Sequence, residues 1–190
     1  MLLVLSIFAC LLFAGCGSQG SITETEKNLI AGSPEIMRVL TVEDRADSLF
    51  LRGKALDFNS CDLGGEYVRT LGRKMLATVT CPEQDGVGIA APQVGIARRL
   101  IAVQRFDKPG EPFELYANIR ILDLPGPFED GPEGCLSVPG KRVIVNRSRE
   151  VVVSYINPQT LRECIDTVYG FSAVIFQHEI DHLEGILLEN

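Results

Sequence analysis

The sequence predicts an α+β fold in which antiparallel β-strands pack around one helix that carries both histidines of the chain. Three observations lead there. Five short β-rich runs succeed one another between residues 100 and 168, divided by turn signals and not by helices. One helical periodicity precedes these runs and a second follows them. The second holds His178 and His182, the only two histidines among 190 residues, four positions apart.

The N-terminal residues obey a different regime. Met1 to Phe13 is almost wholly apolar and leads into Phe13-Ala14-Gly15-Cys16. Such a run is too short to span a bilayer as a helix, but it suits the apolar core of an export signal. Small residues before a cysteine resemble the lipobox of bacterial lipoproteins, in which that cysteine is lipidated and becomes the new N-terminus. No Lys or Arg precedes the run, and Phe13 stands where Leu is more usual. Residues 1–16 are therefore expected to form a signal-like segment, with membrane attachment through a lipidated Cys16 and a location outside the cytoplasm. The alternative is a cytoplasmic protein whose N-terminus does not direct export. Residues 17–34, rich in Ser, Thr, Gly and Glu, are expected to be a polar linker, leaving 35–190 as one folded domain.

Within that domain, Leu63, Tyr67, Leu71 and Met75, with Val68 and Leu76 alongside, give residues 61–79 an amphipathic helical stripe. Gly64 and Gly65 move its expected start to about Gly65. Strand signals follow at 100–104, 115–122, 143–146, 151–157 and 161–168. Asn157-Pro158-Gln159-Thr160 turns the fourth run into the fifth. From Gly170 to about Glu184 the period is helical again. Hydrophobic content of 46% and charged content of 23% are ordinary for a globular protein. A net charge of −7 without a basic patch argues against nucleic acid. Arg98-Arg99 is expected at a solvated strand edge. With Cys10 removed, Cys16 lipidated and Cys135 otherwise engaged, Cys61, Cys81 and Cys164 remain. They allow one bridge, Cys61–Cys81, although buried free thiols are the simpler reading.

On a helix, residues four apart share a face, so His178 and His182 can reach one metal ion, with Glu179 beside it as a general base. A catalytic site needs a third protein ligand. The position six residues past His182 is Leu188, and the chain has no helix downstream that could supply a glutamate. The ligand is therefore expected upstream, and Cys135 is the strongest candidate. It lies in Gly131-Pro132-Glu133-Gly134-Cys135-Leu136-Ser137-Val138-Pro139, read as a loop bracketed by Gly and Pro. A further stretch, Gly86 to Gly95, is dense in Gly and Ala and lets backbone approach a ligand closely. Its Gln93 offers an amide donor to a developing oxyanion.

Together, Gly86 to Gln93, Glu133 to Ser137 and Gln177 to His182 resemble the three motifs of the peptide deformylases, in the family's order. The resemblance implies a deformylase-like fold and a metal-dependent hydrolase that removes the formyl group from N-formylmethionyl peptides, releasing formate. It implies one divalent metal per chain, ferrous iron with zinc or nickel as substitutes, held by Cys135, His178 and His182. Glu179 would move the proton, while Gln93 and the Leu136 backbone N–H would hold the oxyanion. Val87, Gly88 and Gly134 would bind the substrate backbone, and Phe171, Val174 and Ile175 a methionine-like side chain. Arg147 and Asp181 would pair beneath the site, with Arg142 near its mouth. The partner would be an N-formylated peptide or nascent chain, and the protein a monomer. The chain ends eight residues after His182, so a further C-terminal helix common among bacterial deformylases is not expected. A metallopeptidase and a non-catalytic lipoprotein that binds formyl-peptides are the competing readings.

Overall fold

The computed structural model describes residues 20–188. The signal-like segment, with Cys10 and Cys16, lies outside them. Four helices come first: α1 (Glu24–Gly32), α2 (Arg45–Leu51), α3 (Ser60–Leu63) and α4 (Glu66–Val79). Strand β1 (Gly88–Ala90) runs into a 3-10 turn, Ala91–Val94, and is followed by β2 (Leu100–Gln104) and β3 (Phe113–Asp123). The hairpin of β4 (Phe128–Cys135) and β5 (Val138–Ser148) is next, then β6 (Glu150–Ile156), β7 (Glu163–Tyr169) and α5 (Gly170–Leu183).

β1, β2, β3, β6 and β7 form one five-stranded sheet in that order, antiparallel throughout, and β4 and β5 make a separate two-stranded sheet. The expected α+β class with antiparallel strands is what is found. β2 has the bounds read from the sequence, and the expected hairpin pairs Val151 with Val168 and Ile156 with Glu163. Helix α5 lies against β1, β2, β3, β5, β6 and β7. Ala173, Ile175, Phe176, Ile180 and Leu183 bury its apolar side against Ile101, Val103 and Ile119 of the sheet. Ser172, Gln177, Glu179 and His182 are buried as well, and a helix covered on so many sides needs internal partners for its polar groups. Gln177 shows how they are met. Its Nε2 donates to Ser148 O at 2.7 Å and Ala173 O at 2.9 Å, while its Oε1 accepts from Ser148 N, which pins α5 to the end of β5.

The helix expected to start at about Gly65 does so: Gly65 is the N-cap of α4, and a separate turn of helix, α3, precedes it. Three expectations need correction. The loop expected around Cys135 is strand β4. Gly131, Pro132 and Gly134 masked its strand character, but a two-stranded ribbon tolerates a proline where no partner takes its N–H. Arg98 and Arg99 are buried, at 2% and 5% exposure; Arg98 spends its guanidinium on backbone carbonyls and Glu26, and Arg99 on the Ile119 carbonyl, Glu184 and, at 3.7 Å, Asp57. Finally, the described part of the 17–34 linker is folded. Thr23 caps α1 in a reciprocal box with Glu26, and Ile22 and Ile30 are buried in the core. Cys81 is a free buried thiol, so the Cys61–Cys81 bridge does not form. Among the described residues no helix is long and apolar enough to cross a membrane.

Candidate active site and metal centre

Three elements converge on one cleft. The end of β4 brings Cys135, the middle of α5 brings His178, Glu179 and His182, and the 3-10 turn after β1 brings Gln93. The ligand atoms of Cys135, His178 and His182 lie within 4.8 Å of one another, with Cys135 Sγ 3.2 Å from His182 Nε2. One thiol and two imidazoles, largely buried, form a borderline-soft set suited to zinc or ferrous iron. Glu179 Oε2 lies beside this trio, buried and without a hydrogen-bond partner in the protein. An orphaned carboxylate oxygen next to three convergent donors is the environment a catalytic metal with a bound water would satisfy. The residues fit the group.

Electrostatics sharpen the assignment. Burial pushes Glu179 up to about 7, with the carboxylates of Glu133 and Asp181 adding to it and His178 opposing. Burial works against charge on His178, but hydrogen bonds to Cys135 and Glu133 prevail and raise it to about 10. Burial and the neighbouring His178 charge push His182 far below the ordinary histidine range. Opposite a carboxylate, His178 Nδ1 carries a proton toward Glu133 Oε2 at 2.9 Å, so a metal would bind at Nε2 by displacing the ring's second proton. Glu133 in turn takes Arg147 at 2.9 Å and 3.2 Å, and Arg147 reaches Asp181 at 2.6 Å. The expected Arg147–Asp181 pair is thus one arm of a longer chain that ends on the His178 ring.

Gln93 is held from both sides. Its Oε1 accepts from Ala90 N at 2.8 Å, and its Nε2 faces Ser137 Oγ at 3.2 Å and Cys135 Sγ at 3.9 Å. The amide donor therefore points toward the thiol. Across the cleft, Gly88 lies so close to Glu179 that a Cβ there would sit 2.5 Å from Glu179 Oε1 and 2.7 Å from Ile175 Cγ2. No side chain fits between β1 and α5 at this point.

The cleft encloses about 780 Å³. Val87, Gly88, Gln93, Gly134, Cys135, Leu136, Phe171, Val174, Ile175, His178 and Glu179, all singled out in the sequence, line it. His182 lies behind them at 1% exposure. Arg142 and Lys141 also line the cleft, as do Gln84 and Asp85. Phe171 is half exposed and stacks on Phe106 at 5.4 Å between ring centroids.

Two contributors escaped the sequence reading. Glu133 was quoted within a motif without a role, and Ser137 likewise. Residues two apart on a strand share a face, so reading 128–135 as a strand would have placed Glu133 on the side of Cys135.

A family profile described as polypeptide deformylase matches residues 36–190. A peptide deformylase of Natranaerobius thermophilus is 43% identical over 140 residues, covering 74% of this chain and 84% of that protein. One from Symbiobacterium thermophilum is 44% identical over 117 residues, 60% of this chain, and there the chain spans about half of the relative's length, 52%. A crystal structure of the class I type b peptide deformylase from Acinetobacter baumannii, with Met-Ala-Ser bound, superposes with a TM-score of 0.70 at 35% identity. That match covers 80% of this chain and 95% of the other.

Proposed function

Because the chain belongs to the polypeptide deformylase family, a family of metal-dependent hydrolases, we propose that its cleft removes the formyl group from N-formylmethionyl peptides and releases formate. The observation that carries this reading is the convergence of Cys135, His178 and His182 within 4.8 Å beside the buried, partnerless Glu179 Oε2. A divalent metal held by those three ligands would supply Lewis acidity and lower the pKa of the attacking water. Ferrous iron is the proposed native ion, with zinc or nickel able to substitute.

The chain's own residues do the rest. Glu179, raised to about 7 by burial, takes the proton of the attacking water and returns it to the leaving amine nitrogen. A carboxylate poised near neutrality suits a group that must do both. Gln93 Nε2, fixed by the Ala90 N–H on its own Oε1, presents its hydrogens where negative charge develops on the formyl oxygen. The Leu136 backbone N–H joins it. Val87 just before β1, Gly88 on it and Gly134 on β4 flank the cleft and offer backbone to an extended peptide. Phe171, Val174 and Ile175 give an apolar wall for an unbranched side chain, and the Met-Ala-Ser bound in the Acinetobacter relative supports that class of substrate. The protein acts as a monomer and takes no nucleic acid. Lipidation of Cys16 would hold it outside the cytoplasm, where its substrate is an exported formyl-peptide and not a ribosome-bound chain.

The test is formate release from formyl-Met-Ala by protein purified without oxygen and loaded with ferrous iron or nickel, since a thiolate-bound ferrous site is prone to oxidation. Glu179→Ala should retain the metal and lose turnover. Internal cleavage of longer peptides would indicate a metallopeptidase, and stoichiometric binding without turnover a binding module.

A further inference from the structure

Helix α1 precedes residue 36, where the family match begins, yet it is built into the domain. Two buried cations hold it. Arg98, 2% exposed, donates to Gly20 O at 2.7 Å and Ser21 O at 2.5 Å and makes two 2.8 Å bonds to the Glu26 carboxylate. Lys74, 5% exposed, donates to Ile30 O at 2.6 Å and Ser33 O at 2.5 Å at the other end of the helix. Between these clamps, Ile22 and Ile30 enter the same apolar cluster as Ala91, Val94 and Ile96. Those residues flank Gln93.

The contact continues to the turn itself. Gly95 closes the 3-10 turn Ala91–Val94 with φ +82°, and Leu29 Cδ2 lies 3.2 Å from where its Cβ would be. Leu40 N donates to Gln93 O at 2.8 Å from the segment that follows α1. The Gln93-bearing turn is therefore pressed from outside by a helix that precedes the matched region.

We infer that α1 is a positioning element for Gln93, acting through the contact of Leu29 with the left-handed cap at Gly95. The inference rests on the formyl-hydrolase reading of the site. Leu29 touches neither substrate nor metal, and its effect passes through the placement of the Gln93 amide. Because Leu29 is 40% exposed, trimming it leaves the fold intact while loosening the cap.

The experiment is a double-mutant cycle on the metal-loaded full chain with formyl-Met-Ala. Wild type, Leu29→Ala, Gln93→Ala and the double variant are compared, with Leu29→Met as the conservative control and circular dichroism as the check on folding. Leu29→Ala is expected to lower kcat about threefold to tenfold, the scale of a sub-ångström misplacement, with KM and metal content unchanged. Leu29→Met should restore kcat, and the loss should vanish in the Gln93→Ala background. A wild-type kcat in Leu29→Ala would overturn the inference, as would a loss of equal size with and without Gln93. An inactive wild type would instead remove the formyl-hydrolase reading itself.

Discussion

Glu133 Oε2 lies 2.9 Å from Nδ1 of His178, so a carboxylate two residues before Cys135 on β4 orients one ring of the Cys135, His178 and His182 trio. Glu133→Gln keeps the shape and removes the charge. Loss of such an outer partner costs about 10–100-fold in metal affinity, which competition with a chelator would measure. An unchanged dissociation constant would mean that the negative charge of Glu133 does not set the affinity of the site.

Gly88 sets the gap between β1 and α5. Gly88→Ala forces a methyl group, whose position the backbone fixes, to within 2.5 Å of the buried Glu179 Oε1. Turnover should fall about 100-fold, as expected for displacement of the proposed proton carrier by roughly an ångström. Metal content, measured by emission spectrometry, should stay at one ion per chain.

Ile30 tests whether α1 belongs to the cooperative unit. It is fully buried, so Ile30→Ala should destabilise the domain by about 2–5 kcal/mol, read as a lower urea midpoint at unchanged slope. A helix hung loosely from the domain would lose nothing.

Acid stability follows from the cluster around Arg105, whose side chain is 2% exposed. It donates twice to Asp107 at 2.7 Å, and once each to the Tyr116 hydroxyl and Asp166. Burial opposes ionisation of Asp107, but the Arg105 bonds prevail and lower its pKa. Glu114 is lowered in the same way by Lys108 and Tyr116. Carboxyls depressed in the folded state stabilise fully above their unfolded values near 4 and lose that contribution as pH falls through the lower folded values. Melting temperature should therefore be insensitive to these groups from pH 7 to 5 and decline below about 4. Asp107→Asn should lower stability at neutral pH and flatten the acid limb, and an acid limb as steep as in wild type would refute the assignment.

How much of this was legible varies with the source of the information. The trio Cys135, His178 and His182 could be read because its chemistry is unusual: two histidines at helical spacing, and a ligand set one short. The strands 100–104 and 151–168 were legible because β-branched residues and an Asn-Pro turn agree locally. Helix α1 was hidden because its helical stretch is polar. Its docking depends on Arg98 and Lys74, partners 72 and 44 residues away, and no local pattern reports such contacts. The same distance effect concealed Arg98 and Arg99, whose charges look solvated until the carbonyls they cap are known. Strand β4 was hidden for the opposite reason. Its Gly131, Pro132 and Gly134 carry strong local turn signals, and pairing with β5 overrides them.

The grip of Arg98 on the Gly20 carbonyl also fixes a length. Three residues, Gly17 to Gln19, separate Cys16 from Gly20. At about 3.5 Å per step, anything attached at Cys16 stays within roughly 14 Å of that carbonyl. Eighteen loose residues would have let the domain wander about 25 Å on average. With Cys16 anchored as proposed, so short a leash would restrict which directions the cleft can face, and the point of attachment would also set its orientation.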